Sequence, residues 1–124
     1  MAYSSEKRKQ KKGTSLKNVR ENPVMNVVKN FLEIHRIPYW RLNSGAYKTP
    51  KGHYVRYGAK GMSDIYAIGK DGISIWIECK RPVGGVLSEP QKNFLDCINR
   101  NGGIGIVVNS VESLEEQLRE AGII

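Results

Sequence analysis

Apolar residues recur at helical spacing through Val24, Val27, Val28, Phe31, Leu32 and His35, and Pro38 ends the run. Asn22-Pro23 opens it well: asparagine is a good N-cap, and proline at the first helical position gives up an N–H that has no partner there anyway. The spacing predicts an amphipathic helix over 23–36. Residues 39–42 read as a short strand, and Asn43-Ser44-Gly45 reads as a turn. Residues 46–61 are polar and glycine-punctuated, with at most a short extended piece at 53–57, in the manner of an exposed functional loop.

The pattern then changes period. Two β-rich segments, 64–68 and 73–80, flank Gly69-Lys70-Asp71-Gly72, a hairpin turn by composition. In the second, Ile73, Ile75, Ile77 and Cys79 alternate with Ser74, Trp76, Glu78 and Lys80, which assigns the apolar set to the core. Ser88-Glu89-Pro90-Gln91 combines an N-cap, an acidic first turn, a proline and a capping-box glutamine. The helix it opens carries Phe94, Leu95 and Ile98 as its stripe and closes at Gly102-Gly103. Ile104 to Val108 is continuously apolar, as in a strand buried in a sheet interior, and Ser110 caps a last helix bearing Leu114 and Leu118. The order α, β, loop, β-hairpin, α, β, α predicts an α/β fold: a mixed β-sheet flanked by helices on both faces, with a crossover through the helix after the hairpin.

Length and charge narrow this. At 124 residues one domain is the ceiling, and 40% apolar with 26% charged residues is an ordinary globular composition. No run approaches a membrane span or a secretory signal, so a cytoplasmic protein without membrane partners is expected. Cys79 and Cys97 are too few for a disulfide framework or zinc cluster and read as reduced core residues. Of the net charge of +8, residues 1–20 supply +6, with seven basic side chains against Glu6 alone. They are expected to form a disordered basic tail suited to phosphate, ahead of a single domain at 21–124. No acidic residue lies between Glu33 and Asp64, whereas Arg36, Arg41, Lys48, Lys51, Arg56 and Lys60 do, which suggests a polyanion facing that flank.

The candidate chemistry sits at the hairpin. Glu78 and Lys80 share one strand face, roughly 6–7 Å apart along the chain, and pairing across the turn brings Asp64 toward them. Two carboxylates and an ammonium suit Mg²⁺ or Mn²⁺, which favour hard oxygen donors and accept phosphate oxygens. A bare D…ExK pattern is equally a surface ion pair, and Gln91 is equally a capping residue. Tyr47, Tyr54 and Tyr57 are either scaffold residues or stacking surfaces for unpaired bases; Trp40 and Trp76 read as core or interface aromatics.

The neighbourhood of these residues is more specific than the pattern itself. Glu21 before the first helix, Arg41-Leu42-Asn43-Ser44-Gly45, the Arg56…Gly58…Gly61-Met62-Ser63-Asp64-Ile65 block, Glu78-Cys79-Lys80-Arg81 and Ser88-Glu89-Pro90-Gln91 together span about residues 21–109. In this set the sequence resembles a virus-type replication-repair nuclease (VRR-NUC) domain of the PD-(D/E)XK superfamily, of the stand-alone, phage type. Ser63 replaces the proline of the superfamily name.

The resemblance implies a PD-(D/E)XK restriction-endonuclease-like core and metal-dependent hydrolysis of DNA phosphodiesters to a 5′-phosphate and a 3′-hydroxyl. By similarity, Asp64, Glu78 and the Cys79 backbone carbonyl would hold Mg²⁺ or Mn²⁺, Lys80 would position or activate water, and Gln91 would assist beside it. Glu21 matches an additional helix-borne acid acting through water, with Glu33 on the same predicted helix as the competitor. Arg41, Asn43, Ser44, Lys48, Lys51, Arg56, Lys60 and Arg81 are candidates for DNA contact. The stand-alone type resembles Holliday-junction resolvases, which implies a homodimer nicking four-way junctions in a bacterial host cell, from a phage or prophage gene; flaps, forks, or binding without cleavage are the alternatives.

Overall fold

In the computed structural model of the chain the described residues are 22–42, 45–57 and 61–124, with the backbone alone described at 45, 46, 56 and 57. The expected tail, Glu21, Asn43, Ser44 and Lys60 lie outside them. Helix α1 (Pro23–Ile34) starts where Asn22 Oδ1 accepts from the Val24 N–H at 3.0 Å. It buries Val24, Met25, Val28, Phe31 and Leu32. Val27, expected inside, is exposed, and Met25 takes its place on the buried stripe. Arg36, with φ of +57°, reverses the chain so that the Ile37 N–H returns to the Leu32 carbonyl at 2.9 Å.

The sheet has the order β1 (Tyr39–Arg41), β4 (Ile65–Ile68), β5 (Ser74–Cys79), β6 (Ile104–Val108). β4 runs antiparallel to both β1 and β5, whereas β6 runs parallel to β5, so the sheet is mixed. The parallel pair is joined through α2 (Glu89–Arg100), the crossover the pattern predicts, and α3 (Val111–Glu120) follows β6. Ile65, Ala67, Ile75, Ile77, Cys79, Ile106 and Val108 form one face of the sheet and meet Val28 and Leu32 of α1 and Leu114 and Leu118 of α3. Truncating any of the fully buried leucines to alanine costs about 2–5 kcal/mol by lost transfer and residual cavity. On the opposite face, Phe94 of α2 meets Trp76 edge-on at 5.3 Å.

Three expectations need correction. Residues 46–61 are not a plain loop: β2 (Gly45–Lys48) and β3 (Tyr54–Tyr57) pair antiparallel into a separate two-stranded ribbon. Gly45, read as part of a turn, begins it. β6 is an edge strand rather than a central one; its apolar run reflects helices packed on both faces. Its free edge is covered by side chains, because the Asn99 amide bonds both the N–H and carbonyl of Gly105 and Gln117 Nε2 donates to the Val107 carbonyl. Finally, Cys79 is buried but Cys97 is exposed on α2.

Candidate active site

Asp64 and Glu78 leave the β4–β5 pair at the same end, directly beyond the Ile65↔Ile77 pairing. Asp64 is fixed there by its backbone: its N–H donates to the Ile77 carbonyl at 3.1 Å, and its carbonyl accepts from Leu42 at 2.8 Å. Its side chain is also engaged, since Oδ2 accepts the Cys79 N–H at 2.8 Å. The segment leading to Asp64 lies tight against the first turn of α2. A Cβ on Gly61, whose φ is +84°, would stand 2.4 Å from the Pro90 carbonyl oxygen. Glycine at 61 therefore lets β4 and the start of α2 close around one point.

That point is occupied by Glu78, which is 3% exposed. Its Oε2 accepts from Gln91 Nε2 at 2.8 Å and faces Lys80 Nζ at 3.4 Å. Its Oε1 is buried without a hydrogen-bond partner. Burial pushes the Glu78 carboxyl up to about 7; the negative charge of Asp64 adds to the rise, and Lys80 opposes it. Gln91 uses both ends of its amide: Oε1 accepts the Ser88 N–H at 2.9 Å to complete the capping box, and Nε2 reaches Glu78. The capping and accessory readings of Gln91 thus describe one geometry.

Two carboxylates meet here with Lys80 as the one cation on Glu78, and the buried Glu78 Oε1 left unpaired is a donor for a further cation. The donor set is hard oxygen, which fits Mg²⁺ or Mn²⁺. Among the described residues no group of three or more His, Cys, Asp or Glu side chains converges, so from these residues such a site would draw on Asp64 and Glu78 plus backbone. The Cys79 carbonyl accepts from Asn22 Nδ2 at 2.8 Å, which leaves one of its two lone pairs. Glu21 lies outside the described residues. Its competitor Glu33 accepts from the Tyr39 hydroxyl at 2.6 Å, beside the far end of β1 from Asp64. Burial, then that hydrogen bond, raises the Tyr39 phenol to about 12.

The sequence did not single out Asn22 beyond its capping role. Its Oδ1 caps α1 while its Nδ2 holds the Cys79 carbonyl, so one side chain ties the helix start to the site. Only its adjacency to Glu21 hinted at this. Asn22, Cys79, Lys80, Arg81 and Gly85 line an open cavity of about 360 Å³ beside Glu78. The Cys79 thiol itself points to the core, where burial, then the two carboxylates, raise it to about 12; it stays protonated.

The cationic candidates are dispersed. Arg81 is exposed at the cavity, and Lys48 and Lys51 sit on the β2–β3 ribbon, with Lys48 Nζ 5.9 Å over the Tyr54 ring. Arg41 pairs with Ile65 on the core side of the register and acts electrostatically on the Cys79 thiol, away from Glu78. Arg56 is described only by its backbone, paired with Ala46; Asn43, Ser44 and Lys60 lie outside the described residues. No described helix is long and apolar enough to cross a membrane.

Fold and site together define an α/β protein with a mixed four-stranded sheet and a buried glutamate set beside a half-buried aspartate and a lysine. Comparison of the chain with protein-family models, curated proteins and solved structures finds no match.

Proposed function

We propose that the protein is a metal-dependent DNA endonuclease with a PD-(D/E)XK core of the VRR-NUC type. The observation that carries this reading is the Asp64–Glu78 pair, with its unpartnered buried oxygen and Lys80 beside it. A bland surface ion pair on a hairpin has no reason to bury Glu78 to 3% exposure or to set it against a second acid. The mixed four-stranded sheet flanked by helices on both faces also supports this reading.

In this reading Asp64, Glu78 and the Cys79 carbonyl would hold Mg²⁺ or Mn²⁺, which would supply charge neutralisation at the scissile phosphate and acidify water. The residues of the chain do the positioning. Gln91 Nε2 holds the Glu78 carboxylate in orientation, and the Cys79 N–H does the same for Asp64. Lys80, partly exposed toward the cavity, donates to the incoming water or to a phosphate oxygen as negative charge accumulates there. Arg81 and the lysines of the ribbon neutralise flanking phosphates. Each protomer has one such site, so symmetric nicking of a four-way junction calls for a homodimer. Its setting is the cytoplasm of a bacterial cell, with a phage or prophage origin.

The test is incubation of purified protein with labelled four-way junction, flap, fork and linear duplex in Mg²⁺, Mn²⁺ or EDTA. Paired nicks across a junction, abolished by EDTA, are expected. Tight binding with every substrate uncut in both metals would leave a non-catalytic nucleic-acid-binding module instead.

A further inference from the structure

The sheet face that carries Glu78 also carries a row of aromatic rings. The pairings Trp40↔Tyr66 and Tyr66↔Trp76 align three side chains across β1, β4 and β5. Trp40 stacks on Tyr66 at 6.0 Å and 26°, Tyr66 lies 4.5 Å from Trp76, and Trp76 ends against the edge of Phe94. Helix α2 covers the Trp76 end of the row. The Trp40 end is open: this residue is 44% exposed on the edge strand β1.

The next row on the same face, two residues along each strand, holds Leu42, Asp64 and Glu78, because Leu42 bonds Asp64, and Asp64 and Glu78 lie directly beyond the Ile65↔Ile77 pairing. Asp64 thus lies one strand across and one row along from Trp40, and Glu78 two strands across, roughly 8 and 12 Å away by strand spacing and rise. The nearer acid is within the reach of one nucleotide whose base lies on Trp40. Lys80 and Arg81 supply the charge complementary to the phosphate. An exposed tryptophan whose ring is stiffened from behind by a second ring offers a flat apolar surface at low entropic cost. Its size also selects its occupant: at 44% exposure Trp40 presents on the order of 100 Å². A stable protein interface needs about 800 Å² per partner.

We infer that Trp40, backed by Tyr66, is a stacking platform for one unpaired nucleobase next to the phosphate held at Asp64 and Glu78. The inference rests on the proposed nucleic-acid substrate and deepens it, since the platform makes an unpaired nucleotide beside the cut a binding determinant. Trp76 and Phe94 hold Tyr66 in place from the covered side.

Binding is measured in EDTA, where nothing is cut, with the full chain and two probes: a duplex carrying one unpaired nucleotide at a nick, and the same duplex intact. Trp40→Ala is expected to lower affinity for the first by about 5- to 100-fold, the range for losing one base–aromatic stack. Affinity for the intact duplex stays within about twofold, with an unchanged salt slope because no phosphate contact is lost. Trp40→Phe retains most of the affinity, and an abasic unpaired nucleotide reproduces the alanine loss with wild-type protein. Equal losses on both probes overturn the inference, as does an abasic probe that binds as tightly as the natural one. A Trp40→Ala protein that changes from dimer to monomer while treating both probes alike also overturns it, and assigns the ring to a contact between copies. A chain that passes these binding tests but cuts nothing with Mg²⁺ or Mn²⁺ refutes the nuclease and keeps the platform; one that cuts junctions and fails them does the reverse.

Discussion

Removing the charge at Glu78 should stabilise the metal-free protein above neutral pH, although the substitution falls on the candidate catalytic centre. The carboxyl sits at about 7 in the folded chain against 4.5 as its ordinary value. The native state therefore keeps a proton that the unfolded chain has already released, and stability declines as pH rises from about 4.5 through 7. The full loss is about 3–4 kcal/mol, because each unit of difference corresponds to about 1.4 kcal/mol. In Glu78→Gln the amide oxygen continues to accept from Gln91 and Lys80. The amide nitrogen replaces the unpartnered Oε1 and donates toward Asp64, so the buried charge and the orphaned oxygen disappear together. Thermal melts in EDTA between pH 5 and 8 read this directly. Wild type and variant should coincide near pH 5, and the variant should melt on the order of 10 °C higher at pH 8, the shift that about 3–4 kcal/mol produces in a domain of this size. Mg²⁺ should raise the wild-type Tm and leave the variant unmoved. A variant that melts below wild type by the same margin at both pH values would refute the reasoning, since Glu78 would then be an ordinary stabilising partner.

Lys80→Ala should abolish cleavage, by at least about 100-fold as for loss of a single transition-state donor, while leaving junction affinity in EDTA within a few-fold; gel-based cleavage and binding assays on one preparation check both. Gln91→Glu keeps the acceptor for Ser88 but sets a third carboxylate against Glu78, so in EDTA its Tm should fall below wild type by several degrees at pH 8 and by less at pH 5. Deleting residues 1–17 should weaken DNA binding and flatten the plot of log affinity against log salt, because six of the seven basic residues of the tail are lost, while cut positions mapped by sequencing gel remain the same.

The elements that were legible in the sequence are those whose signals are local. The N-caps at Asn22, Ser88 and Ser110, the capping box at Gln91 and the alternation through Ile75, Ile77 and Cys79 each record a bond or a face made within a few residues. What escaped depends on partners distant in sequence. The strand Gly45–Lys48 has no apolar alternation, so its pairing with β3 is recorded only in the backbone. Ile104 to Val108 looks the same whether strands flank it or helices cover it, so its place at the sheet edge was invisible. Within the site, alternation put Glu78 and Lys80 on one face. The tight approach of Gly61 to Pro90, the grip of Asn22 on the Cys79 carbonyl and the row from Trp40 to Phe94 are products of tertiary packing.

The covered edge of β6 decides how copies of this chain can meet. Asn99 and Gln117 act as a borrowed strand, engaging the Gly105 N–H and carbonyl and the Val107 carbonyl through which a neighbouring sheet would otherwise extend. Addition of a strand on that side must first displace both side chains and leave their amides unpaired. Growth of the sheet in both directions at once, the geometry of an open fibril, is therefore blocked at one end. An assembly that extends this four-stranded sheet must use its β1 edge, and joining β1 to β1 about a two-fold axis closes after two copies.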